Sequence, residues 1–258
     1  MKYEDVPIQK ALLLESACAI SSSALVAPII SIVDKSIFAN ASGKQPLVQG
    51  LISGFTTLFT KPLYFVRQPA FYLIWGVYSG TYIVANSVQC ICDRKNVPWQ
   101  IPKFIGSSAA NVGLSVLKDL YFTRAFGTGA ARPVPFASYS MYTMRDSMTI
   151  FASFNLPDVL SQNLTSNYGF TKSSADTTAQ LVTPCAIQLF STPLHLYGMD
   201  LYNRPEANKS ERSTFIRREY VKTALARMGR IFPAFGIGGV ANKAFRKKGA
   251  AWLSGNEH

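Results

Sequence analysis

The sequence predicts an all-α membrane protein: six transmembrane helices, arranged as three pseudo-repeated helix pairs around a central cavity, in a single domain spanning residues 1–258. Three observations lead there. Hydrophobic residues make up 48% of the chain and charged residues only 16%. An ordinary soluble domain carries roughly 25% charged residues, so this chain has too few charges to cover a water-facing surface. Two stretches, residues 68–92 and 177–199, contain no Asp, Glu, Lys or Arg; at about 1.5 Å per residue each is long enough to cross a hydrocarbon core of roughly 30 Å. Short fragments also recur: Pro69-Ala70-Phe71 answers Pro233-Ala234-Phe235, and Met148 takes the proline position in between, at spacings of about eighty residues, longer than solenoid periods.

The first span is placed at residues 11–33, where Ser21-Ser22-Ser23-Ala24 supplies small side chains that let helix backbones approach closely in lipid. Residues 45–60, QPLVQGLISGFTTLFT, are apolar but short, and are expected to lie along the membrane surface; the competing placement, a seventh span, would upset the count. The second span is residues 68–92 and the fifth 177–199. The third, fourth and sixth, at residues 101–124, 135–156 and 220–245, each carry an ionisable residue or a proline, costly against lipid but tolerated beside a polar cavity. These pairs define approximate repeats 11–92, 101–157 and 177–246. Residues 203–222 hold Arg204, Lys209, Arg212, Arg217, Arg218 and Lys222, whereas 157–176 hold only Lys172. Basic loops stay on the side of synthesis or in the matrix, so the connections after the first, third and fifth spans are expected to share one side of a multi-pass protein. The alternative architecture is a soluble helical protein with buried helices.

Charge and motifs narrow the function. With 26 Lys+Arg against 14 Asp+Glu the formal net charge is +12, which suits anionic lipid of the surrounding bilayer or a small anionic solute. Nucleic acid is set aside, because the basic residues lie between apolar segments and no binding motif accompanies them. No enzyme is expected: the only histidines are His195 and His258, and no phosphate-cradling loop or paired carboxylates within one helix is visible. The run Gly236 to Gly239 has no preceding strand and suits helix packing better than a nucleotide. Cys90-Ile91-Cys92 lacks the second knuckle or histidines of a zinc site; Cys18, Cys90, Cys92 and Cys185 are expected to be buried thiols, with no metal and no cofactor. Residues 1–10 mix acids and bases and lead straight into an apolar segment, so neither a cleavable signal nor an Arg-rich transit peptide is expected.

The chain resembles a divergent member of the mitochondrial carrier family over nearly its whole length. The odd helices of that family end in Pro-x-[Asp/Glu]-x-x-[Lys/Arg]. Here the third span gives Leu117-Lys118-Asp119-Leu120-Tyr121-Phe122-Thr123-Arg124, the first Pro28-Ile29-Ile30-Ser31-Ile32-Val33, and the fifth Pro193-Leu194-His195-Leu196-Tyr197-Gly198. No repeat keeps the whole signature. In the even helices Arg230-Ile231-Phe232-Pro233 resembles the family's Arg-x-x-Pro pattern, and Arg145-Asp146 the same region of the second repeat.

That resemblance implies transport of a small, anionic metabolite across a mitochondrial membrane, the inner rather than the outer. It gives Pro28, Asp119, Arg124 and Pro193 gate roles and places Arg145 and Arg230 at the level where solute binds, with His195 nearby. An intramembrane arginine is a functional candidate in its own right, and guanidinium favours carboxylate or phosphate. The alternative for both arginines is a structural ion pair, Arg145 with Asp146 or another helix and Arg230 with Asp200; for His195 it is a hydrogen-bonded interior ring. With the signature incomplete, the gate is expected to be held mainly by apolar and aromatic contacts, so that reversing the charge of Asp119 scarcely changes transport. The alternative function is a non-transporting protein of carrier fold acting as adaptor, insertase or membrane-organising factor. Protein partners are not indicated.

Overall fold

The computed structural model describes residues 6–128 and 132–253. These form α1 (Ile8–Ala41), α2 (Leu47–Thr60), α3 (Pro62–Val66), α4 (Pro69–Arg94), α5 (Gln100–Phe126), α6 (Phe136–Tyr168), α7 (Lys172–Asn203), α8 (Lys209–Gly229), a π-helical stretch (Pro233–Gly239) and α9 (Val240–Leu253). Local sequence explains many of the ends. Pro69 opens α4 at a position where its missing N–H costs nothing. Gly169 closes α6 in the left-handed conformation at φ +68°, where a side chain would be strained. Asn208 and Glu211 form a reciprocal capping box at the start of α8, satisfying two backbone donors that the first turn leaves without partners.

The structure revises several expected boundaries. Residues 203–222, read from their charge as a connection, are mostly the start of α8. The presumed fourth span extends through Pro157 to Tyr168, so residues 157–176 are largely helical as well. The presumed sixth span is not one regular helix: α8 stops at Gly229, and a π-helical stretch follows before α9. Pro233 has no N–H to donate and the glycines that follow tolerate irregular backbone, so the widened turn falls where an α-helix is weakest. Gly238 also permits close packing, since a Cβ there would lie 2.8 Å from the Tyr82 hydroxyl.

Prolines inside helices have visible consequences. Pro193 within α7 cannot donate to the Leu189 carbonyl four residues back, and the Tyr220 hydroxyl of α8 donates to that carbonyl at 2.9 Å. A helix defect thus becomes a contact between two helices.

Among the described helices, α1 alone combines the length and the apolar composition of a membrane crossing; α4 and α7 have the length but dilute it chiefly with uncharged polar residues, and α5 with polar and charged ones. The outward character of the chain is nevertheless that of a lipid-facing protein. Phe59, Phe136 and Phe190 are 79%, 84% and 68% exposed, whereas Arg145 and Arg227 are at most 2% exposed. Water would sort these side chains the other way; lipid around a polar interior produces this order. At 14 residues α2 is roughly 21 Å long, too short to span. It presents Val48, Ile52, Phe55 and Phe59 outward on one stripe, and its opposite face is pressed onto α1 through Gly50, against Ser36, and Gly54, against Ile32.

The chain divides into two compact units. One comprises Met1–Ser31, Lys61–Lys118 and Pro233–His258; the other comprises Ile32–Thr60 and Asp119–Phe232. In the first, Glu15 of α1 receives two hydrogen bonds from Arg246 of α9, at 2.5 and 3.1 Å, and Arg246 also donates to Gln89 of α4 at 3.0 Å. One turn away Asn86 and Asn242 exchange a reciprocal pair of 3.0 Å bonds. Cys18, Cys90 and Cys92 are buried free thiols in this unit.

Candidate functional site

A cluster of charges is buried inside the second unit, and Arg145 of α6 is its hub. Its Nε and Nη2 grip Asp146 at 2.9 and 2.6 Å, its Nη2 lies 2.5 Å from the carboxylate of Asp119 on α5, and its Nη1 meets Nδ1 of His195 on α7 at 2.6 Å. A guanidinium has only donors, so Nδ1 accepts and His195 is the neutral ring with its proton on Nε2. Tyr142 stands over the guanidinium at 5.3 Å. Thr123 donates its hydroxyl proton to the Asp119 carbonyl at 2.7 Å, so Tyr142 is the donor in their 2.8 Å contact. Phe38 packs edge-on against both His195 and Phe122.

Two further pairs extend the cluster. Arg230, just past α8, binds Asp34 of α1 at 2.5 Å. Arg227, one turn earlier, is 1% exposed and donates Nη2 to Gln188 Oε1 at 2.7 Å and to Ser191 Oγ at 3.1 Å, both on α7. It makes no ion pair with any described carboxylate, and its buried Nε has no hydrogen-bond partner. Asp34, Asp146, Arg145 and Arg230 all lie within its electrostatic reach. Three arginines and three aspartates thus belong to one cluster, all buried except Arg230, which is 18% exposed, and equal in number but not in pairing. Asp200, at the end of α7, is tied instead to Arg204 at 2.6 Å and Arg212 at 2.7 Å, a clamp that fixes the turn into α8.

The residues singled out from the sequence are distributed as follows. Arg145, His195 and Asp119 are brought together, and Arg230 belongs to the same unit, paired with Asp34 and not with Asp200. Asp119 is completely buried in its ion pair, a polar contact where apolar and aromatic ones were expected to dominate, and a lysine there would confront Arg145. Pro28 lies inside α1 and Pro193 inside α7; Arg124 is exposed on the last turn of α5, away from these pairs. Sequence reasoning passed over Asp34 and Arg227. Asp34 stands one residue beyond the fragment Pro28 to Val33, and Asp34, Asp119 and Asp200 are 85 and 81 residues apart, a spacing that would have found it. Arg227 was hidden by its basic neighbours Arg217, Arg218 and Lys222.

Gly198 sets how closely α7 approaches α6. A Cβ added there would sit 2.7 Å from the ring of Tyr142, and the Gly198 carbonyl accepts the Ser138 hydroxyl at 2.8 Å. Gly198→Ala is expected to push Tyr142 off Arg145 and Thr123, at about 1–3 kcal/mol for overpacking. Thermal unfolding in detergent would measure it, and an unchanged midpoint would show that the gap relaxes freely.

Chemically, such a cluster can hold a carboxylate on guanidinium and an ammonium on aspartate, and it can exchange resident ion pairs for pairs with a solute. A family model described as a probable citrulline exporter matches residues 18–250. No curated protein matches the chain at a significant level. The match is to a different family from the mitochondrial carriers, and this corrects the resemblance drawn from Arg145-Asp146 and Arg230-x-x-Pro233. The signature behind that resemblance was incomplete in every repeat, and arginines facing buried aspartates arise in any polar helix interior. The gate roles of Pro28, Asp119, Arg124 and Pro193, and the mitochondrial compartment, had rested on it.

Proposed function

The chain belongs to the probable citrulline exporter family, and from that premise we propose that it moves a small, net-neutral amino acid across a membrane, with citrulline the first candidate. The observation that carries the substrate class is the mixed charge of the cluster: buried Arg145 and Arg227 and the partly exposed Arg230 against buried Asp34, Asp119 and Asp146. A free anion entering this region meets as many resident negative charges as positive ones. A zwitterion adds no net charge, and each of its ends finds an opposite partner. The anionic solute expected from Arg145 and Arg230 alone thereby narrows to the carboxylate of an amino acid. During transport the solute's ends compete with resident pairs, and this competition biases the helices between arrangements. The chain's net charge of +12 suits anionic lipid headgroups at the helix ends.

The test is efflux of labelled citrulline from vesicles containing the purified protein, in competition with ornithine, glutamate and neutral amino acids. Neutral amino acids are expected to compete best. Efflux no faster than from protein-free vesicles would refute the proposal, leaving a non-transporting membrane role.

A further inference from the structure

Arg227 is the side chain whose chemistry the fold leaves incomplete. A guanidinium inside a helix bundle is ordinarily matched by a carboxylate, because an uncompensated buried charge is costly. Arg145 has two carboxylates and Arg230 has one. Arg227, at 1% exposure, has only the neutral amide of Gln188 and the hydroxyl of Ser191, and its Nε donor has no partner. The two neutral groups are themselves fully buried, and they are anchored: the Gln188 amide donates to the Pro184 carbonyl at 2.9 Å and Ser191 donates to Gln188 Oε1 at 3.4 Å. The guanidinium is therefore held in place without being neutralised.

We propose that Arg227, positioned by Gln188 and Ser191, binds the α-carboxylate of the transported amino acid. This deepens the transport proposal above and rests on it. A single carboxylate is enough to match the one guanidinium of the cluster that has no resident carboxylate, and the field around it is mixed, with Arg230 and Arg145 as well as Asp146 and Asp34 in reach, so an ammonium carried by the same solute can turn toward an aspartate. Gln188 lies between Pro184 and Pro193 on α7, two points where the helical hydrogen-bond ladder is interrupted, so the segment that holds Arg227 is the part of α7 best able to bend when solute enters.

Two variants separate binding from structure. Gln188→Glu gives Arg227 a resident carboxylate: the thermal midpoint is expected to rise while citrulline affinity falls. Arg227→Gln removes the charge: affinity is expected to fall about ten- to a hundredfold, as for loss of a hydrogen bond to a charged group, with no loss of thermal stability. In wild-type vesicles the α-amide of citrulline, which lacks the carboxylate, is expected to compete weakly, and this preference is expected to vanish in Arg227→Gln. Wild-type affinity in Gln188→Glu, or an amide that competes as well as citrulline, overturns the proposal, and Gln188→Glu decides alone if Arg227→Gln does not fold. If wild-type protein moves neither compound, the transport reading fails. The subsite then stands or falls on whether propionate raises the midpoint of wild type and not of Arg227→Gln.

Discussion

Asp119→Lys is expected to prevent recovery of folded protein, and Asp119→Asn to yield folded protein of lower stability. Asp119 is fully buried on α5 and lies 2.5 Å from Arg145. Breaking a buried pair by removing one partner costs about 3–5 kcal/mol, because the other charge stays buried. Asparagine keeps the shape and leaves Arg145 with Asp146, so the cost is expected to fall to about 1.5–3 kcal/mol, that of a hydrogen bond to a charged group. Lysine adds a second cation beside Arg145, in a region whose charge already balances, and has no room to reach solvent. Monodispersity after detergent extraction and the unfolding midpoint report both variants. A wild-type midpoint for Asp119→Lys would show that the carboxylate contributes nothing and that the cluster is open to water.

The sequence made the helical class legible because lipid imposes it: few charges and long uncharged segments leave little else for the chain to become. It located α4 and α5 to within two residues at each end and placed α2 as a helix too short to span. Arg145, Arg230, His195 and Asp119 stood out because ionised or polar groups in apolar segments are rare. The partners did not stand out. The alternative to solute contact for Arg145, a pair with Asp146 or another helix, named both partners it has, but Asp34 for Arg230 required a contact across 196 residues that no local pattern announces. Charge density misled in the opposite direction at residues 203–222, where a capping box and a helix rich in charged residues look like a basic loop. Arg227 lay beyond that region, inside the presumed sixth span: its meaning depends on the lack of an ion-paired carboxylate among the described residues, a property of the fold and not of its sequence neighbours.

The second large effect is expected in the other unit, at the buried pair of Glu15 on α1 with Arg246 on α9. Glu15→Ala is expected to lower stability by about 3–5 kcal/mol, because Glu15 is fully buried and takes both hydrogen bonds of the Arg246 fork. What remains for Arg246 is Gln89, an acceptor that Lys103 also uses at 2.9 Å, so two cations would compete for one amide oxygen. The Glu15→Met/Arg246→Met double variant removes both charges and fills the space with apolar atoms, and buried pairs replaced in this way are often neutral or stabilising. It is therefore expected to recover most of the loss, giving a coupling energy of about 0.5–3 kcal/mol or more in a double-mutant cycle of unfolding midpoints. Citrulline selectivity in the double variant is expected to match wild type, since the proposed carboxylate contact lies on α7 and α8. Additive single and double effects would show that Glu15 and Arg246 act separately, and loss of selectivity in a stable double variant would place part of the solute site in the first unit.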